Sequence, residues 1–282
     1  MSKVACITLD MEPDHGDPEK RIRLLDNPEF FEQYISIINR HSAKVTMFTV
    51  TSLFADYGEK LRALGRRIPL EWASHSHHHD PYDACSPAEI DTAHNAFEEF
   101  TGSPPRGYRA PIGRITPEGL EHLIKRGYQF DASLYPSVRP GEFGYFNLRK
   151  PNVPFRVRHE DGALIELPFT AISTVRIVFG LSYAKLFGWS IYSTLLKVFG
   201  LPDAVLALSH PYDFYTHLVA GGLAGMEKLA LTRNARSAFD YFEKMLIALE
   251  ERGYQFTFVS ELCAQLDASP ALPELALEAW NS

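Results

Sequence analysis

Strand-like and helix-like segments alternate from the first residues of this 282-residue chain, and that rhythm limits the fold more than any other feature. An apolar run at 4–9 is followed by a helical pattern at 28–40. A strand-like run from Val45 to Val50, a helix ending at about 65 and a further run from Ile68 to Ala73 come next. Apolar periodicity that switches back and forth in this way marks βαβ units, which build a parallel sheet covered by helices. Helix starts are clearly written. Asn27-Pro28 and Thr116-Pro117 place a capping residue before proline, and Ser86-Pro87-Ala88-Glu89 has the form of a capping box.

The pentapeptide Arg-Gly-Tyr-Gln-Phe occurs at 126–130 and again at 252–256. Each copy stands where a helical pattern ends at glycine and a strand begins, so the two read as similar αβ junctions. Asp161-Gly162, between the alternating runs Phe155–His159 and Leu164–Leu167, predicts a β-hairpin inserted into the pattern. No Gly/Ser linker divides the chain. A single domain over 1–282 is expected, carrying the hairpin and an apolar helical insertion at about 154–201.

Composition narrows the function classes. Hydrophobic residues make up 45% and charged residues 22%, enough apolar surface for a closed core. With 28 basic and 35 acidic residues the net charge is −7, and no Lys/Arg block tracks a phosphate backbone; neutral or cationic substrates fit better than nucleic acid. Cys6, Cys85 and Cys263 are odd in number and far apart, with no disulfide or zinc-knuckle spacing. Met-Ser-Lys leads directly into Val4–Leu9, an apolar run too short for a signal peptide, so a cytoplasmic location is expected.

Four polar motifs sit where predicted strands end. Ser74-His75-Ser76-His77-His78-His79-Asp80 follows the third strand, and one helical turn there would bring His75 and His79 to one side at a spacing suited to a shared metal, with His77 and His78 pointing elsewhere. Leu9-Asp10-Met11-Glu12-Pro13-Asp14 closes the first strand, and the alternate acids Asp10 and Glu12 project to the same side if the strand continues. Two such carboxylates suit one metal ligand and one general base, with Asp14 as a fallback ligand. Arg109, in Tyr108-Arg109-Ala110-Pro111-Ile112-Gly113, is placed to hold a carboxylate ionised in a defined pose. His210 ends the buried-type run Ala204–Leu208 and carries the side chain best suited to proton transfer near neutral pH.

In this order, the acid pair, His-Ser-x-x-His, Arg-x-Pro-x-Gly and strand-His resemble the polysaccharide deacetylase superfamily, the fourth carbohydrate esterase family, whose shared unit is the NodB homology domain. The likeness runs to Arg252-Gly-Tyr-Gln-Phe-Thr-Phe-Val-Ser-Glu261-Leu, similar to the family's closing strand and helix. It implies an α/β fold, a distorted (β/α) barrel of about seven or eight strands with its site at the C-terminal face. It also implies one divalent metal held by Glu12, His75 and His79, with Asp10 as base, Arg109 as its tether, His210 as acid and the Ile112 N–H as an oxyanion donor. Zinc suits such a His₂-carboxylate set, and nickel, cobalt or iron would accept it. The first motif is the Asp-x-Glu variant where most members have Asp-Asp. The family's fourth motif, an Asp-Trp that orients the histidine, is absent; Asp131 stands in its region, either as a substitute or as an ordinary loop acid.

The activity implied is removal of an N-acetyl or N-formyl group from an amino sugar, a glycan or lipid-linked precursor. An amidohydrolase acting on an allantoin-like or cyclic-imide bond is the alternative, and a non-catalytic carbohydrate-binding or membrane-docking module is a third reading. Residues 171–201 are the most apolar and aromatic stretch, but Arg176, Lys185 and Lys197 interrupt them, so they do not span a bilayer. They suit either barrel-covering helices or a helix pair at a membrane surface flanking the site.

Overall fold

The computed structural model describes residues 3–141, 144–215 and 225–280. Its strands are β1 (Val4–Met11), β2 (Val45–Thr49), β3 (Leu70–Ser74), β4 (Gly107–Tyr108) and β5 (Phe130–Asp131), then β6 (Val138–Arg139), β7 (Tyr145–Phe146), β8 (Phe155–His159), β9 (Gly162–Glu166), β10 (Ala204–Ser209), β11 (Gln255–Phe256) and β12 (Glu274–Ala276). Between them lie α1 (Arg23–Asp26), α2 (Pro28–Arg40), α3 (Leu53–Gly65), α4 (Pro87–Thr101), α5 (Pro117–Lys125), α6 (Leu181–Phe187) and α7 (Trp189–Phe199). Asn27, Ser86 and Thr116 cap α2, α4 and α5 as the sequence predicts. The third strand starts at Leu70 rather than at 68, since Ile68 still donates to Leu64 of the preceding helix and Pro69 has no N–H for a ladder.

One sheet runs in the order β10, β1, β2, β3, β4, β5, β9, all parallel, and continues through antiparallel β8 to β12. The fold is the expected α/β type. Residues 167–180 fill the gap between β9 and β10: Phe169 N donates to Leu134 O, Phe179 N to Thr170 O and Leu208 N to Phe179 O, while Gly180 bridges Leu208. This closure by an irregular segment distorts the barrel. The Asp161-Gly162 hairpin is more deeply integrated than an insertion, because its second strand is the parallel neighbour of β5 and its first extends the sheet towards β12.

Alternation along β1 sorts its side chains. Ala5, Ile7, Leu9 and Met11 pack with α2 and α3, whereas Val4 and Cys6 join Phe48, Ala73 and Phe130 in a second cluster. Thr8 and Asp10 continue that second face, so a buried acid follows from a two-residue period. The repeated pentapeptide forms matching junctions: Gly127 and Gly253 both have φ of 79°, and Tyr128 and Tyr254 donate back to Leu123 and Leu249. Glycine takes this left-handed conformation without steric penalty.

Helices α6 and α7 account for most of 181–199, and no helix among the described residues is long and apolar enough to cross a membrane. They largely cover the barrel. Lys185 is fully buried, and Phe187 and Trp189 pack against the main core.

The close approach of β4 and β5 depends on Gly107, where an added Cβ would stand 2.0 Å from the Phe130 ring. Gly107→Ala should therefore destabilise the protein by about 1–3 kcal/mol through overpacking. Urea unfolding checks this, and a midpoint equal to wild type would contradict the packing of these strands.

Candidate metal centre

The register brings the strand ends level. Met11 pairs with Thr49, Thr49 with Ser74, Ser74 with Tyr108, Tyr108 with Asp131, and Asp131 with Glu166. On the other side of β1, Leu9 pairs with Ser209, so His210 comes level with Asp10. All four sequence motifs thus open on one rim, the C-terminal ends of the strands.

Glu12, His75 and His79 converge there, each offering a ligand atom within 4.8 Å of the others. Glu12 Oε2 lies 3.3 Å from His75 Nε2 and also against His79 Nε2. The helical turn expected between the histidines is absent: residues 75–80 form an irregular bend, with Ser76 and His79 left-handed at φ of 63° and 59°. Ser76 Oγ accepts the His79 N–H, at 3.1 Å, and fixes that bend. His77 and His78 point elsewhere, as the sequence suggested, held by Thr51 and by Glu89. Glu89 also accepts the N–H groups of His77 and His78, at 2.8 and 2.6 Å. The Ser86 capping box is therefore half made, since Ser86 accepts the Glu89 N–H while the Glu89 carboxylate supports the histidine loop.

These residues fit a divalent metal. His75 Nδ1 hydrogen-bonds the Arg109 carbonyl at 2.7 Å, which fixes the tautomer and turns the Nε2 lone pair inward. His79 Nε2 is likewise turned into the cluster, against Glu12 Oε2. Burial works against ionisation of Glu12, but His79 and His75 outweigh it and hold the carboxyl well below the usual carboxylate range. Two imidazoles and a carboxylate form an open set of the catalytic zinc type. Asp14 does not complete it. It is bound by Arg23 Nη1 at 2.9 Å and by the Tyr215 hydroxyl, and burial raises it to about 6.

Beside this set Asp10 Oδ1 receives Arg109 Nη1, and Arg109 is wholly buried between the rings of Phe48 and Phe169. The other Asp10 oxygen lies 3.9 Å from His210 Nε2. Sequence reasoning missed the partner of His210, which is Asp213, at 3.1 Å from Nδ1. Asp131 is not in that place. It bonds Ser133, and an acid three residues after a histidine in a Pro-initiated turn was the overlooked signal. Ser182 and Lys185 of α6 bond Asp213 in turn. Burial opposes charge on both groups, yet Lys185 and His210 bring Asp213 down to about 2, and the Asp213 bond lifts His210 to about 9. Ile112 has φ of 51°, uncommon for a β-branched residue, and no backbone carbonyl among the described residues accepts its N–H.

Residues 2–130 match the family profile described as polysaccharide deacetylase. Over that stretch the chain is similar to the polysaccharide deacetylases. The matched stretch holds Asp10, Glu12, His75, His79, Arg109 and Ile112, while His210 and Asp213 lie beyond it. Across the whole chain the likeness to solved structures is one of fold. A Mycobacterium smegmatis protein assigned as a polysaccharide deacetylase has a TM-score of 0.59 at 16% identity, covering 98% of this chain and 94% of that one. The Puue allantoinase has 0.59 at 12%, covering 95% and 92%. A CE4 family pseudoenzyme from Bacillus anthracis has 0.53 at 12%, covering 93% and 66%. No curated protein matches the chain in sequence.

Asp213→Asn should bring His210 down from about 9 towards the ordinary histidine value of about 6.5. Because the folded value lies above the unfolded one, the pair's contribution to stability is complete below about pH 6.5 and is lost as pH rises through about 9. Histidine NMR titration of both proteins reads the shift; an unchanged His210 would exclude Asp213 as its cause.

Proposed function

We propose that the protein is a metal-dependent hydrolase that removes an N-acyl group, acetyl or formyl, from an amino sugar. The observation that carries this reading is the juxtaposition of the Glu12–His75–His79 set with two flanking groups of opposite proton demand, Asp10 and His210. The metal would be held by Glu12, His75 and His79, and would supply Lewis acidity towards water and the amide carbonyl. Asp10, with one oxygen tied to Arg109, presents the other as base for the water proton. His210, raised to about 9 and oriented by Asp213, is protonated at neutral pH and delivers that proton to the departing nitrogen. The Ile112 N–H is the proposed donor to the oxyanion. A pseudoenzyme role is less well supported, since acid, base and ligands are all present.

Fold likeness to an allantoinase as well as to a deacetylase makes a non-sugar amide, allantoin-like or cyclic-imide, the second reading. N-acetyl and N-formyl sugars assayed beside allantoin and cyclic imides separate the two. Turnover of either class should stop with chelator and return with zinc, nickel, cobalt or iron. Activity should fall as pH rises through about 9, where His210 loses its proton. Glu12→Gln should lose metal by elemental analysis, whereas Asp10→Asn should keep it and lose turnover by about 10²–10⁴-fold. Both variants fully loaded and equally slow would overturn the division between them.

A peripheral membrane contact, as a lipid-linked substrate would require, draws support from α7, where Ile191 and Val198 are 54% and 67% exposed beside Lys197. Lys3 and Arg252 line the same groove as Lys197, with Glu251 among them, at the end of the barrel where β1 and β11 begin and away from the rim that carries Glu12. Co-sedimentation with anionic vesicles should fall when Ile191 and Val198 are both changed to Glu. Protein wholly in the supernatant in both cases would restrict the substrate to soluble sugars.

A further inference from the structure

Beneath the rim, Asp131 and Glu166 are direct partners on the adjacent parallel strands β5 and β9, and both are fully buried. Two carboxylates so placed repel each other and lose hydration, an arrangement stable only if charge is removed or matched. Arg109 is the cation that acts on both, and Nη1 of its guanidinium is already committed to Asp10. The acceptor count is uneven. Asp131 receives the N–H and the hydroxyl of Ser133, at 3.2 and 2.7 Å. Glu166 receives only the Leu134 N–H, at 3.0 Å, and its Oε2 is buried with nothing donating to it. A proton on Glu166 Oε2, shared with Asp131, satisfies that oxygen and leaves one negative charge, on the acid that has two donors.

We propose that Asp131 and Glu166 share one proton and together act as a positioning pair for the Arg109–Ile112 segment. The path is short and continuous. Asp131 orients Ser133, whose hydroxyl hydrogen goes to the carboxylate and whose oxygen therefore accepts the Ala110 N–H at 2.7 Å. Glu166 fixes the next residue through Leu134 N. Between β5 and Ser133 lies Ala132, whose carbonyl accepts Arg109 Nε at 2.9 Å. Residues 132–134 thus form a rigid backing strip for Arg109 and Ala110, and Gly113 packs so closely on it that a Cβ would meet Ser133 O at 2.5 Å. Burial raises Asp131 and raises Glu166 well above the usual carboxylate range, in keeping with a retained proton. The consequence for catalysis rests on the proposed roles of Arg109 and Ile112; the shared proton does not.

The pair is tested by infrared spectroscopy together with kinetics of three variants. At neutral pH the wild-type protein should show the carbonyl band of a buried protonated carboxylic acid, and Glu166→Gln should abolish it. Glutamine mimics the protonated acid, with an oxygen for Leu134 N and an N–H for Asp131, so Glu166→Gln should rescue most of the turnover that Glu166→Leu loses. Asp131→Asn, which turns a donor towards one of the two Ser133 donors, should behave like Glu166→Leu. Both should lower kcat on the order of 10- to 100-fold with KM and metal content unchanged, as expected for a small displacement of positioned groups. Absence of the band in wild type, or a Glu166→Gln variant as slow as Glu166→Leu, would overturn the pair. The band is read without substrate, so its presence in a protein with no hydrolytic activity would uphold the pair and reject the proposed function instead.

Discussion

A guanidinium buried to zero exposure sets the terms for everything around it. Removing such an ion from water costs several kcal/mol even after relaxation, so Arg109 is tolerable only where anions, carbonyls and ring faces replace its hydration. Asp10 and Thr8 from β1, the Ala132 carbonyl beyond β5 and the rings of Phe48 and Phe169 do so from four directions. Its backbone is used as well: the N–H goes to Ser74 O and the carbonyl to His75 Nδ1. One residue therefore ties Asp10, His75 and three strand ends into a single rigid unit. Beside Arg109, Asp10 is held in a fixed pose with one oxygen left facing the rim.

That unit exists because the parallel ladders end level. In a parallel sheet a slip of one residue sends every side chain of a strand to the opposite face. The buried Asp10 and Thr8 face the same interior as Phe48 and Ala73, so a one-residue slip would set charge against the helix layer and apolar groups in the site. Apolar burial and the polar cluster thus select the same pairing. Agreement between the two levels is what a well-funnelled sequence requires.

The strand–helix rhythm, the capped helix starts and the cluster of Asp10, Glu12, His75, His79, Arg109 and His210 at strand ends were legible in the sequence, because each depends on periodicity or on residues near one another in the chain. What could not be read were contacts made across the sheet. Glu166 lies opposite Asp131 only once β9 is known to follow β5, and the hairpin signal alone put β9 outside the barrel. Glu89 reads as half of a capping box until the His77–His78 backbone is seen above it. The helical turn assumed for His75 and His79 failed for a local reason: Ser76 and His79 take left-handed conformations, which spacing rules do not anticipate.

The apolar stretch 171–201 shows how a pattern legible in outline is completed only by topology. Its hydrophobic residues suited either barrel-covering helices or a surface helix pair; 181–199 form the helices, and 171–180 close the barrel between β9 and β10. Closure there requires an irregular segment, because the β10 edge would otherwise leave backbone groups unpaired. The Thr170 hydroxyl accepts the Leu206 N–H and the Phe179 carbonyl accepts that of Leu208. With the gap closed, α6 is pressed close enough for Lys185 to reach the Asp213 backbone carbonyl at 2.7 Å and its carboxylate at 3.5 Å. Burial lowers the lysine, and Asp213 offsets that loss, so the two charges persist together in the interior. Asp213 also faces His210, and a carboxylate between two cations remains ionised where a carboxylate facing one would be nearer to neutralisation. The lysine that interrupts the apolar run is thus the residue that lets a greasy closing segment support a charged histidine.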